Sequence, residues 1–309
     1  MNKVIVACDG SAFSRLAETL VAKLPVYRDA EIHIVGVTPT QAMLYGAFQP
    51  TADMALAATA GSIYDQALEI TKKNIGEAVE RMKALGFSEV KAVDLQGSPG
   101  PELQDYAEQI GASLIALGSR GLSAVESFLL GSVSRRLLNH AHCDVLVARP
   151  LKPKTLDETL EVLQAQPKLN VLIGVDGSEG SQKAVDWLAQ NGKGAFRQVV
   201  AACVGAVYSV VPGLDPSEYP EMFEANAKEM ERIAAAALEQ VGETGEQAFP
   251  DTTQGRVVET LMDVAEKTGT DLIVLGASRH GVLQRFFIGS VSFEVANGAP
   301  CSVYIKRPS

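Results

Sequence analysis

The chain has 309 residues, of which 47% are hydrophobic and 21% charged, with a formal net charge of −10 at pH 7. These proportions are typical of soluble globular proteins, and the length suffices for two ordinary domains. The acidic charge argues against nucleic acid as a partner, and no apolar run approaches the roughly 20 residues that cross a bilayer. The chain enters a strand pattern without a signal segment, and its four cysteines lack metal-ligand spacing. We therefore expect a cytoplasmic protein with reduced thiols and no protein-bound metal.

The first half alternates strand and helix patterns. Ser11 is the predicted cap of a helix whose apolar stripe runs from Phe13 to Leu24, and Pro25 ends it. Further helices are predicted at 55–85, at 102–110 and from residue 132 onward, and strands at 4–7, 32–37, 90–95, 114–117 and 143–148. This alternation predicts a parallel α/β sheet with right-handed crossovers.

A glycine-rich loop follows the fourth strand. It reads Gly118-Ser119-Arg120-Gly121, then nine residues, then Gly131-Ser132-Val133-Ser134. Glycines allow close approach of a ligand, and the amide groups at a helix start favour anions. Ser132 is the predicted N-cap, Ser134 adds a hydroxyl, and Arg120, Arg135 and Arg136 add positive charge. The pattern indicates phosphate binding, although by itself it also fits a tight turn with surface arginines.

The pattern recurs, which indicates a duplicated chain. Gly118, Gly131 and Cys143 return 158 residues later as Gly276, Gly289 and Cys301. The strand that ends in Asp9-Gly10-Ser11 returns 167 residues later, ending in Asp176-Gly177-Ser178. The predicted division is a first domain at 1–150, a linker at 151–167 and a second domain at 168–309.

Three strand ends are expected to meet in one crevice. Asp9 ends the first strand, Val37 the second and Gly118 the fourth, and parallel sheets bind ligands beyond the carboxyl ends of their strands. A carboxylate there accepts hydrogen bonds from an adenine amino group or a ribose hydroxyl. Asp9 alone also fits a common cap at a strand-to-helix turn. A bound nucleotide better explains the presence of Asp9 together with the glycine loop.

These motifs, with the terminal stretch Cys143 to Pro150, resemble a universal stress protein domain of the ATP-binding branch. The resemblance covers essentially the whole chain, as two tandem domains. It implies two tandem Rossmann-like domains of the adenine-nucleotide-alpha-hydrolase type, each a five-stranded parallel sheet of order 3-2-1-4-5 flanked by helices. It also implies an adenine nucleotide in the crevice and pairing through the last strands. Asp144 departs from the family, which often has proline there, and is expected outside the crevice. The residues that the resemblance places around the nucleotide are Asp9, Val37, Gly118, Arg120, Gly121, Gly131, Ser132, Val133 and Ser134.

The second glycine motif is altered. Arg279 stands in place of Gly121, which is expected to need a special backbone conformation, and Ser278 stands in place of Arg120. His280 and Arg285 bring new positive groups. We expect an intact first site and an altered second one, either empty or of different specificity. Its surviving elements are Asp176, Gly276, Gly289, Ser290 and Ser292.

The leading functional hypothesis is a cytoplasmic stress-response protein that binds ATP, ADP or AMP and acts as a nucleotide-dependent regulator. Magnesium would come with the phosphates. The alternatives are a slow ATPase or phosphotransferase, for which only Asp9 and Glu126 offer a base, and a second crevice that binds a different small ligand near residues 207–219. The last strands of the two halves are expected to pair within the chain as a pseudo-dimer, which leaves a homodimer of whole chains open.

Overall fold

The computed structural model describes residues 1–43, 54–121, 130–204, 219–242, 245–248, 257–277 and 289–308. Side chains are described for all of these except 54–60, 222–223 and 245–248. In these ranges no helix is long and apolar enough to span a membrane.

Ten strands form one sheet. In chain order they are β1 (Lys3–Ala7), β2 (Glu31–Thr38), β3 (Val90–Gln96), β4 (Leu114–Gly118), β5 (Asp144–Ala148), β6 (Asn170–Val175), β7 (Gln198–Cys203), β8 (Gly245–Ala248), β9 (Leu272–Gly276) and β10 (Ser302–Lys306). Their spatial order is β3-β2-β1-β4-β5-β10-β9-β6-β7-β8. Each half therefore has the expected order 3-2-1-4-5, with parallel pairing inside each half. The predicted fold class is confirmed.

Helices cover both faces of the sheet. They are α1 (Ala12–Ala22), α2 (Met54–Ala84), α3 (Pro99–Ile110), α4 (Ser132–His140), α5 (Leu156–Ala165), α6 (Glu179–Gln190), α7 (Pro220–Val241), α8 (Val257–Lys267) and α9 (Ser290–Gly298). Along β1, Val4 and Val6 pack on one face with α1 and α2, whereas Ile5 packs on the other with α3 and α4. Strands buried on both faces read as continuous apolar runs, which is why their positions were predictable.

The two halves join through their last strands. Val145, Leu146 and Val147 of β5 pair antiparallel with residues 305, 304 and 303 of β10. Each half thus covers the sheet edge of the other, and edge strands otherwise present unpaired backbone groups. The predicted pairing within the chain is confirmed.

A pseudo-twofold set of contacts fixes this junction. The backbone N–H of Arg149 donates to Ser302 Oγ at 3.0 Å, and the equivalent N–H of Arg307 donates to Asp144 Oδ1 at 2.8 Å. The guanidinium of Arg149 donates to Ala296 O, and that of Arg307 to the equivalent Leu138 O. Each half therefore caps the last turn of a helix in the other.

Asp144 lies at the centre of this junction and is only 4% exposed. It accepts hydrogen bonds from Tyr304 Oη at 2.6 Å and pairs with Lys306 Nζ at 3.0 Å. Tyr27 Oη lies 2.5 Å from Tyr304 Oη, and Trp187 stacks on the Tyr304 ring with 3.8 Å between centroids. The Asp144 carboxylate of the first half thus accepts hydrogen bonds from Tyr304, Lys306 and Arg307 of the second half.

Most predicted element bounds hold within three residues. The third helix begins at Pro99 rather than at residue 102, because proline suits the first helical position. In the linker, Thr155 and Glu158 form a capping box at the start of α5. The second strand of the second half, β7, ends at Cys203, and the residues from 205 onward lie outside the described ranges until residue 219.

Candidate nucleotide-binding crevices

The turn after β1 holds Asp9 at the base of the first crevice. Gly10 has φ +81°, a left-handed conformation that favours glycine, and it turns the chain into α1. Asp9 Oδ1 accepts the Ser11 N–H at 2.9 Å, and Ser11 Oγ caps α1 by accepting the Ser14 N–H at 3.2 Å. Asn74 Nδ2 of α2 donates to the Asp9 carbonyl at 3.2 Å. The capping role considered for Asp9 is therefore present.

Packing requires glycine at position 118 of the loop, and Gly121 lies against the end of the Asp9 side chain. A Cβ on Gly118 would lie 2.5 Å from Phe13 Cβ, and a Cβ on Gly121 would lie 2.8 Å from Asp9 Oδ2. Gly121 does not have a left-handed φ, so the expected conformational reason for this glycine is wrong. A side chain at position 121 would instead make the Asp9 carboxylate shift.

Gly131 is different, because no contact among the described residues requires glycine there. Its φ of −64° and ψ of 163° suit any residue. A Cβ would meet Ser119 O at 3.5 Å and Arg120 Cα at 3.7 Å, which are ordinary contacts. The absent side chain leaves open space in the crevice, directly before the first turn of α4.

The start of α4 differs from the prediction by one residue. Gly131 is the N-cap and Ser132 is the first helical residue, so no side chain caps the helix. Ser134 Oγ donates to Gly118 O at 2.8 Å, which ties α4 to the end of β4. The Ser134 hydroxyl proton is thus already used, and the backbone N–H groups of the first turn are the donors at this end of the crevice.

The crevice is a cavity of about 500 Å³ at the carboxyl ends of the strands. All nine predicted residues of the first site line it: Asp9, Val37, Gly118, Arg120, Gly121, Gly131, Ser132, Val133 and Ser134. Of the three arginines expected to supply charge, only Arg120 is among the described lining residues, and Arg136 instead packs over Gly100. Burial raises the pKa of the neighbouring Cys8 thiol to about 11, so this group is neutral.

The long helix α2 forms a wall that the sequence analysis did not anticipate. Ala67, Ile70, Thr71 and Asn74 line the crevice from this helix, opposite the glycine loop. They lie 30 or more residues from Val37, and farther from the Asp9 turn and from the glycine loop. A polar Asn74 within the inward-facing stripe of α2 was the available signal.

A second cavity, of about 260 Å³, lies at the equivalent place in the second half. The five surviving elements line it: Asp176, Gly276, Gly289, Ser290 and Ser292. Ser178 N–H donates to Asp176 Oδ1 at 2.9 Å, and Ser292 Oγ donates to Gly276 O at 3.0 Å, as in the first half. Burial raises the pKa of Asp176, but hydrogen bonds from Ser178 and Ser181 outweigh it and hold that pKa below its usual range.

The walls of the two crevices differ. Arg120 lines the first, whereas the described lining of the second contains no lysine or arginine. Asn74 packs against Gly10 in the first half, and the apolar Ile233 takes this place against Gly177 in the second. The replacements at Ser278, Arg279, His280 and Arg285 lie outside the described residues, as does the stretch 207–218 considered for a different ligand.

Groups for acid–base or metal chemistry are few in the described crevice. Asp9 is the one carboxylate among its described lining residues, and its Oδ1 already accepts a backbone N–H. Glu126, the other candidate base, lies outside the described residues. Within the part of the chain that the structure describes, no three histidine, cysteine or carboxylate side chains cluster to hold a metal.

The family model of the universal stress protein family matches residues 1–149 and again residues 169–307. The chain belongs to this family. It is similar to universal stress protein Rv1996 of Mycobacterium tuberculosis, with 25% identity over 98% of this chain and 94% of that protein. Half of this chain is similar to universal stress protein MJ0531 of Methanocaldococcus jannaschii, with 29% identity over 84% of that protein.

Solved structures share the tandem fold. A universal stress protein from Archaeoglobus fulgidus superposes with a TM-score of 0.61 at 18% identity, covering 100% of this chain and 97% of that one. Protein PA1789 from Pseudomonas aeruginosa gives a TM-score of 0.58 at 14% identity, covering 100% and 93%. These similarities extend over both halves.

Proposed function

We propose that this universal stress protein binds ATP, or ADP or AMP, in the crevice of its first half and acts as a nucleotide-dependent regulator in the cytoplasm. The observation that carries the proposal is the end of the crevice at Gly131. Gly131 lines the crevice there without a side chain, beside the N–H groups of the first turn of α4, which its N-cap residue does not cap, and helix N-termini of this kind favour phosphate.

The crevice offers complementary chemistry for each part of the nucleotide. Asp9 and Val37 would flank adenine and ribose, since a carboxylate accepts hydrogen bonds from amino and hydroxyl groups. The first turn of α4 and Arg120 would hold the phosphates. Because the described crevice has a single carboxylate, Mg²⁺ would be held by phosphate oxygens and water rather than by a protein cage.

The second crevice would not bind the same ligand equally well. Its described lining contains Asp176 but no basic side chain, and its volume is about half that of the first. A carboxylate without a basic side chain in the described lining disfavours a polyphosphate. We therefore assign nucleotide binding to the first half alone and a different, smaller ligand to the second.

Free thiols support the cytoplasmic location. All four cysteines are free, and three of them are buried. Such thiols persist in reducing compartments. The division into domains at 1–150 and 168–309 with a linker at 151–167, and the association of whole chains into a homodimer, remain predictions; light scattering at several concentrations tests the second.

The decisive experiment releases nucleotide from freshly purified protein by denaturation and quantifies it per chain by chromatography. The variant Gly131→Glu puts a carboxylate where the phosphates should lie. The matched control is Gly76→Glu, at an exposed helical glycine with open space around it. About one nucleotide per chain in the wild type and the control, and none in Gly131→Glu, is the expected result. No released nucleotide, and no binding of added ATP, would refute the proposal.

A further inference from the structure

A further cavity, of about 710 Å³, lies beside the first crevice at the junction of the two halves, and we call it the junction cavity. Phe13, Ser119 and Arg120 of the first half form one wall, and Glu266 and Ala299 of the second half form another. The third wall is the start of the linker, from Pro150 to Lys154. The cavity exists only because the two halves are joined in this arrangement.

Positive charge dominates the described lining of this junction cavity. Arg120, Arg149, Lys152 and Lys154 line it, against the single carboxylate of Glu266. The whole chain carries a net charge of −10, so this concentration of cations runs against its overall balance. Local charge of one sign in a concave site attracts ligands of the opposite sign.

Arg149 gives the cavity a fixed, buried cation. It is 5% exposed, and its Nη1 donates to the carbonyls of Ala296 at 2.9 Å and Asn297 at 3.1 Å. Burial, and next the positive charge of Arg120, lower the pKa of Arg149 to about 10. An anion bound near both guanidinium groups would favour their charged forms.

The lysine-bearing turn is also held in place. Lys152 N–H donates to Pro300 O of the second half at 2.8 Å, and Lys154 N–H donates to Leu151 O at 2.6 Å. Leu151 N–H in turn donates to Thr159 Oγ1 of α5 at 2.9 Å. The backbone therefore presents both lysines at one rim, and only their side chains have to be ordered when a ligand binds.

We propose that the junction cavity binds a phosphorylated ligand with several negative charges, an oligophosphate group in chemical terms. Arg120 lines both this cavity and the first crevice, so an anion bound here and a nucleotide in the crevice influence each other's affinity. That coupling rests on the proposed nucleotide function, whereas binding in the cavity does not.

The test is calorimetric titration of the full chain with inorganic tripolyphosphate at low salt, where charge interactions are least screened. The variant Lys152→Ala/Lys154→Ala removes the two rim cations. The control Lys168→Ala/Lys193→Ala removes the same charge from two exposed lysines of the second half. Loss of two partly exposed ion pairs should weaken binding about tenfold in the first variant and leave the control unchanged. No binding to the wild type, or equal weakening in both variants, would overturn the proposal.

Repeating the titration with saturating ATP identifies the source of the phosphates. If ATP abolishes tripolyphosphate binding and itself binds more weakly to Lys152→Ala/Lys154→Ala than to the wild type, the cavity holds the phosphate tail of the nucleotide in the crevice. If tripolyphosphate still binds, the ligand is a separate molecule; either outcome supports the site. Should the chain bind no adenine nucleotide and yet bind tripolyphosphate through the two lysines, the nucleotide function fails and the junction cavity stands.

Discussion

We expect substitutions of Gly131 to lower the affinity for ATP while they leave the stability of the protein nearly unchanged. In Gly131→Ala the new Cβ makes only ordinary contacts, with Ser119 O at 3.5 Å and Arg120 Cα at 3.7 Å. Loss of glycine at an N-cap costs up to about 1 kcal/mol, and the reduced freedom of the unfolded chain returns about 0.4–1 kcal/mol. We therefore expect the free energy of unfolding of Gly131→Ala to stay within about 1 kcal/mol of the wild type.

Gly131→Glu adds charge as well as bulk. A carboxylate about 4 Å from a phosphate costs about 4 kcal/mol at an effective dielectric constant of about 20. That energy corresponds to a loss of affinity of about a thousandfold. In the absence of ligand, a negative charge at the start of α4 is mildly favourable for the helix, so the variant should fold.

Calorimetry with ATP on the wild type, Gly131→Ala, Gly131→Glu and the control Gly76→Glu measures this series. Affinity should fall from wild type to alanine to glutamate, while urea denaturation shows similar stabilities. A folded Gly131→Glu protein that binds ATP within about threefold of the wild type would refute the reasoning, since the phosphates would then lie elsewhere.

Three further predictions concern other parts of the chain. Gly289→Glu, the equivalent change in the second half, should leave the ATP stoichiometry at one per chain; a wild-type stoichiometry of two that this variant halves would contradict the proposed asymmetry. Burial raises the pKa of Asp144 above its usual 3.8, so its contribution to stability is greatest below that value and is lost as pH rises through the folded-state pKa. In urea titrations the wild type should therefore gain stability relative to Asp144→Asn as pH falls from neutrality towards about 4, and parallel pH curves would contradict this. Burial also raises the pKa of every cysteine thiol, to about 11 for Cys8 and Cys203 and about 12 for Cys143, and it raises that of Cys301 as well, so a thiol reagent at pH 7 should react slowly until the chain unfolds. Rapid labelling of the folded protein would show that this burial is not maintained in solution.

Features carried by short stretches of sequence were predictable. Apolar runs located most strands. The pairing of β5 with β10 followed from the family resemblance, which implies pairing through the last strands, applied to a duplicated chain. In contrast, β8 (Gly245–Ala248) is a four-residue strand of sequence Gly-Glu-Gln-Ala at the end of the sheet order, and it has no apolar run to reveal it.

Features that depend on contacts between distant residues were not predictable. Gly121 lies against the Asp9 carboxylate, 112 residues earlier, and its own backbone has no left-handed conformation. Asn74 reaches the Asp9 turn from the far side of the crevice. Asp144 has its role only where β10 brings Tyr304 and Lys306 beside it. The sequence shows that these residues are present, but it does not show that the fold brings them into contact.

The junction between β5 and β10 also frees each half to change by itself. In a homodimer that pairs identical last strands, every substitution appears twice, once on each side of the axis. Asp144 at such an interface would bring a second buried carboxylate with it, and burying a charge is costly. Here the equivalent position is Ser302, which accepts the same type of backbone N–H without a charge. Covalent linkage thus permits an asymmetric interface. For the same reason, a substitution in one crevice does not appear in the other, so the two crevices can evolve separately.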